Sequence, residues 1–114
     1  MIFFVGAGPG DVELITIKGR ELLAKADVVI YAGSLVSEEH LEFCKEGCEV
    51  FNSAAMTLED VINVMVEAER TGKTVVRLHT GDPSIYGAIR EQMDCLQLHN
   101  ISYEVIPGVS SFTA

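Results

Sequence analysis

The chain has 114 residues, 48% of them hydrophobic and 22% charged, which suits a single folded domain with a real core and excludes wholesale disorder. Seventeen acids against eight bases give a net charge of −9, which argues against nucleic acid or an anionic membrane surface as partner, since both demand a basic face. With no basic leader, no apolar run near the roughly 18 residues of a membrane span and three cysteines that cannot all pair, the reading is a reduced, cytoplasmic protein.

Residues 2–5 (IFFV) form a short continuous apolar run, the pattern of a strand buried on both faces. Residues 16–26 predict a helix, with Thr16 as N-cap and Ile17, Leu22, Leu23 and Ala26 on its apolar side. Asp27 breaks it, and VVIY (28–31) is the second strand. Residues 37–43 predict a short helix that ends before Gly47, and residues 48–51 a third strand. The clearest helix signal is TLEDVINVMVEAERTGK. Thr57 and Asp60 have capping-box spacing, with Asp in place of the usual Glu or Gln; Leu58, Val61, Ile62 and Met65 share a face, and Gly72 stops the helix. Residues 75–78 form strand four, residues 85–98 a helix with Ile85, Ile89, Met93 and Leu96 at helical spacing, and residues 103–106 strand five. This alternation predicts an α/β fold: a five-stranded, mainly parallel sheet flanked by helices. After strand five the chain turns at Pro107-Gly108 and reaches Ser110 and Ser111, two candidate N-caps. Residues 1–114 therefore read as the amino-terminal domain of something longer.

The GAGPGD loop after strand one invites a nucleotide reading, but it does not satisfy one. The dinucleotide fingerprint spaces its glycines G-x-G-x-x-G; here Gly6, Gly8 and Gly10 are two apart and Asp11 stands at the third glycine position. A carboxylate there repels a pyrophosphate, and Pro9 removes a backbone N–H that a phosphate would use. A plain strand-to-loop turn is the bland alternative. Two further loops leave strands at the same edge, HTGDPSIYG (79–87) and PGVSS (107–111), and all three set glycine beside proline. Together they predict a small-molecule crevice built more from main chain than from catalytic side chains. Asp82-Pro83 also reads as an N-cap followed by a proline in the first helical turn, with or without a ligand. His40, Cys44 and Cys48 fall at i, i+4 and i+8, but Gly47 interrupts the helix and no second cluster completes a zinc site, so no metal is expected. The cysteines read as small buried hydrophobes and His79 as a packed or solvated side chain. No catalytic triad order stands out.

VGAGPGD…ELITIKG, ADVVIYAGSLVS, HTGDPSIYGAI and VIPGVSS, in that order, resemble the S-adenosylmethionine-dependent tetrapyrrole methyltransferases over essentially the whole chain. The resemblance implies two α/β domains with the active site in the cleft between them, usually in a homodimer, and a tetrapyrrole as methyl acceptor. It implies that Pro9, Thr80, Gly81, Asp82, Ile85, Ser110 and Ser111 contact S-adenosylmethionine. Gly8, Gly10 and Asp11 match the loop bordering the tetrapyrrole, and no catalytic acid or base is assigned. Within the family, YAGSLVS (31–37) and HTGDPSIYGAI are most similar to the branch that methylates carbon 11 of precorrin-4, with or without cobalt, in cobalamin synthesis. Members acting on uroporphyrinogen carry an aspartate where this chain has Ala32 and a lysine near Ala54, which argues against that acceptor. Relatives acting on other precorrins, diphthamide precursors or ribosomal RNA, and a catalytically inert α/β module, are the alternatives. Lys18, Arg20, Arg77 and Arg90 are the cations available to meet a polycarboxylate acceptor.

Overall fold

The computed structural model describes residues 1–7, 17–31, 42, 44–80 and 83–106. In chain order these form β1 (Ile2–Ala7), α1 (Ile17–Lys25), β2 (Val28–Tyr31), β3 (Glu49–Asn52), one 3-10 turn (Ser53–Ala55), α2 (Leu58–Arg70), β4 (Val75–Thr80), α3 (Pro83–Leu98) and β5 (Tyr103–Ile106). The five strands make one sheet in the order β3-β2-β4-β1-β5, and every pairing is parallel. All five predicted strands are present. The expected short helix over residues 37–43 lies almost wholly outside the described residues. The third strand begins at Glu49, one residue later than its sequence pattern suggests, because Cys48 still belongs to the turn at Gly47, where φ is +86°.

The strand pattern follows from burial on both faces. Ile2, Phe4, Val28, Ile30 and Val75 pack under α2 and α3 with Val61, Ile62, Met65, Ala68, Ile89 and Leu96. The alternate residues Val5, Val29, Val76 and Leu78 pack under α1 with Leu22, Leu23 and Ala26. Each such side chain contributes about 1.5–3 kcal/mol by leaving water. From β1 through α1 to β2 the chain moves one way along the sheet; through α2 and α3 it moves the other way, on the opposite face. Reversing direction and face together preserves a single crossover hand, as parallel sheets require.

The ends of α2 carry their own signals. Thr57 Oγ1 accepts from the Asp60 N–H and Asp60 Oδ2 accepts from the Thr57 N–H, both at 3.1 Å, so aspartate completes the capping box. At the other end Gly72 adopts φ +75°, its N–H bonds to Glu69 and that of Lys73 to Ala68, which is the two-bond glycine stop. Leu58, expected on the buried face, is exposed because it occupies the first helical position. Thr57→Ala should cost about 1 kcal/mol in urea denaturation, the usual value of an N-cap hydroxyl.

The amino edge of the sheet is closed by Asp27. Its Oδ2 accepts from the Thr74 N–H at 2.9 Å and its Oδ1 meets Lys45 Nζ at 2.7 Å. The Lys45 hydrogen bond first, and the Thr74 N–H second, hold the carboxyl below the ordinary aspartate value. A depressed folded-state pKa stabilises above the unfolded value of about 3.9 and is lost as pH falls through the lower, folded one. Asp27→Asn should therefore lower Tm at pH 7, with the gap to wild type closing as the pH is taken below about 3.9.

Candidate functional site

In an all-parallel sheet every carboxyl end lies at one edge. Ala7 of β1 pairs with Thr80 of β4, and Val5 of β1 with Ile106 of β5, so three neighbouring strands finish together. The loops singled out by their glycine and proline content leave those three strands, β4, β1 and β5. The loop beginning at residue 32 leaves β2, the next strand along. The β1–β4 boundary is also where successive connections part: β1 leads to α1 on one face, β4 to α3 on the other. Open α/β sheets form their ligand crevice at such a boundary, outside the carboxyl ends.

Thr80 is the last residue of β4, and Ile85 lies in the first turn of α3. Pro9, Gly81, Asp82, Ser110 and Ser111, with Gly8, Gly10 and Asp11, lie outside the described residues. Chain connectivity still ties most of them to the edge: Gly8 directly follows Ala7, and Gly81-Asp82 are the two residues between Thr80 and Pro83. Pro83 is the first residue of α3, as the Asp82-Pro83 pattern predicts and two residues before the apolar periodicity begins; its fixed φ and missing N–H suit an initiating helical position.

Two histidine and cysteine readings meet the structure directly. His79 is buried, in register with Gly6 of β1. Cys44 and Cys48 are half-buried thiols packed against the α1-side core, and Cys48 Sγ donates to the Glu49 carbonyl at 3.6 Å. No group of three metal-ligating side chains occurs among the described residues; His40 lies outside them. Burial first, and Cys48 second, push the Cys44 thiol up to about 11. Iodoacetamide should therefore alkylate Cys44 far more slowly at pH 7.5 than in urea, the difference narrowing as pH rises toward that value.

The candidate cations divide. Arg77 is buried within the sheet, and Arg90 is exposed on α3, 3.7 Å from Asp94. Lys18 and Arg20 are exposed in the first turns of α1, a helix end that already carries positive dipole and has no acid in its first turn. Ala54 sits on the 3-10 turn directly after β3, exposed, its N–H donating to Asn52 Oδ1 at 2.9 Å.

The family model for tetrapyrrole (corrin/porphyrin) methylases matches residues 1–114. The chain belongs to this family. This methylase chain is 62% identical over 113 residues to a cobalt-precorrin-4 C(11)-methyltransferase from Methanocaldococcus jannaschii, covering 99% of the chain and 44% of that protein. Its fold matches the X-ray structure of the cobalamin biosynthetic enzyme cobalt precorrin-4 methyltransferase, CbiF, with TM-score 0.88 and 50% identity over 98% of this chain and 47% of that one. It also matches a uroporphyrin-III C-methyltransferase from Thermus thermophilus complexed with S-adenosylhomocysteine, at TM-score 0.76 and 37% identity, over 99% and 46% of the two chains. The methylase chain thus spans less than half the length of these relatives.

Proposed function

We propose that this chain is the amino-terminal domain, residues 1–114, of an S-adenosylmethionine-dependent methyltransferase that acts on carbon 11 of precorrin-4 or cobalt-precorrin-4. The observation that carries this reading is the 62% identity, over 113 residues, to the cobalt-precorrin-4 enzyme. The donor would lie over the β4, β1 and β5 ends, against Pro9, Thr80, Gly81, Asp82, Ile85, Ser110 and Ser111. Gly8, Gly10 and Asp11 would border the tetrapyrrole. Ala54 lies on the 3-10 turn after the edge strand β3, and the resemblance implies a lysine near this position in members acting on uroporphyrinogen, which supports the corrin acceptor.

S-adenosylmethionine brings a methyl already activated by its sulfonium, so the protein has little proton chemistry to supply. The chain's task is to hold donor and macrocycle carbon in line at about 3–3.5 Å and to keep water out. Glycine loops let main chain approach both molecules closely, and the prolines stiffen it. The acceptor's carboxylates need cations that a domain at −9 scarcely offers; Lys18 and Arg20 at the α1 amino end are the exposed ones nearest the edge. We read the whole protein as a cytoplasmic homodimer; no helix among the described residues is long and apolar enough to cross a membrane.

The test is methyl transfer by the full-length protein from isotope-labelled S-adenosylmethionine to precorrin-4, cobalt-precorrin-4 and uroporphyrinogen III. Label appearing at carbon 11 of either precorrin is the expected result. Transfer to uroporphyrinogen instead, or to none of the three, would overturn the assignment.

A further inference from the structure

Arg77 occupies the centre of the sheet, 2% exposed, in register with Ile30 of β2 on one side and Phe4 of β1 on the other. No carboxylate pairs with it among the described residues. Its Nε donates to Gln92 Oε1 of α3 at 3.1 Å, and its Nη1 donates to the Leu78 carbonyl at 3.2 Å and, at a longer 3.4 Å, to that of Ile30. Burial holds its pKa down to about 10, so it is charged at neutral pH.

A buried guanidinium whose partners among the described residues are all neutral is a costly way to fill space, and an apolar side chain of similar length would pack the site without the desolvation. What distinguishes Arg77 is where its contacts fall. Ile30 is one residue short of the end of β2, and Leu78 is two residues short of the end of β4. The chain leaving those ends becomes the loops that begin at residues 32 and 81. Gln92 lies on α3, the helix into which the second loop runs. One side chain therefore bonds both strand ends and the helix between which the β4 loop is strung.

We propose that Arg77 and Gln92 are a positioning pair for the carboxyl-edge site, tying the ends of β2 and β4 to α3 so that both loops spring from one fixed base. The proposal rests on the methyltransferase reading for its ligand, and on the strand ends alone for its geometry. Arg77 touches neither substrate; it acts through the loops.

Four variants of the full-length protein test it: Arg77→Lys, Arg77→Met, Gln92→Leu and Gln92→Glu. Arg77→Met and Gln92→Leu should raise both the Kd for S-adenosylhomocysteine and the KM for S-adenosylmethionine by about tenfold, at a temperature where circular dichroism shows them folded. Gln92→Glu keeps an acceptor for Nε and should stay within about twofold of wild type. Amide hydrogen exchange in the ligand-free protein supplies a second readout. Arg77→Lys should speed exchange at residues 32–37 and 81–87 more than in the β1–β5 pair. Should Arg77→Met fail to fold, Arg77→Lys and Gln92→Leu carry the same comparison. Variants that lower Tm but leave loop exchange and donor affinity unchanged, or speed exchange evenly through the sheet, would overturn the proposal and leave Arg77 a packing residue. Wild type that binds no S-adenosylhomocysteine would instead defeat the methyltransferase reading, and the exchange data would then decide the positioning role by themselves.

Discussion

Phe4→Ala should lower the free energy of unfolding by about 3–5 kcal/mol, the cost of emptying a large aromatic site that cannot collapse. Phe4 is fully buried in β1, with β4 on one side and β5 on the other. Its ring meets Tyr103 edge to face at 5.4 Å and lies within the cluster that α2 and α3 cover. Backbone pairing on both flanks leaves β1 little freedom to move into the void. A domain of this size has about 5–15 kcal/mol in total, so the variant should fall close to its folding limit. Urea denaturation followed by circular dichroism is the measurement, with Val50→Ala on the exposed face of the edge strand as a control expected to change little. A loss below about 1 kcal/mol for Phe4→Ala would mean that the sheet centre is not the rigid element described above.

Gly8→Val should reduce kcat/KM for methyl transfer at least about a hundredfold in the full-length enzyme, the effect of displacing a reacting group by roughly 1 Å. Gly8 is the first residue beyond β1, and β1 ends level with Thr80 of β4 at the crevice boundary. A branched side chain there narrows the conformations open to the loop and, on the proposed reading, obstructs the approach of ligands. Gly8→Ala, adding one carbon, should have the smaller effect of the pair. Normal turnover and unchanged Michaelis constants in the valine variant would remove the GAGPGD loop from the cleft.

Much of this fold was legible because its strands are buried on both faces and read as short apolar runs. β1 extends to Ala7, beyond the four-residue run, since Gly6 and Ala7 carry too little hydrophobicity to register as strand but continue the ladder with β4. Pro83 opens α3, as the Asp82-Pro83 pattern signals, although the apolar periodicity begins only at Ile85. Strand order was not legible. Nothing in residues 75–80 says that β4 inserts between β2 and β1, yet that insertion is what gathers three separate loops onto adjacent strand ends. Arg77 was the substantive miss. Its charge suggests a cation available to an acidic acceptor, whereas alternation within VVRLHT puts it in phase with Val75, on the face toward α2 and α3. A charged residue in phase with an apolar face was the signal. The proposed site residues rest on family resemblance alone, because single glycines and serines carry no periodicity from which to infer a role.

The strand order also sets a timetable for synthesis. β1 leaves the ribosome before the other four strands, and its two partners, β4 and β5, start only at Val75 and Tyr103. At about 5–20 residues per second, Ile2–Ala7 must wait several seconds for its first neighbour, while β2 and β3 already have each other. During that interval the most apolar stretch of the chain is unroofed and unpaired, a state in which nascent chains stick to one another. Yield in the cell should thus depend on translation speed between β3 and β4 more than on the stability of the finished sheet, and slowing that stretch should favour aggregation or chaperone capture.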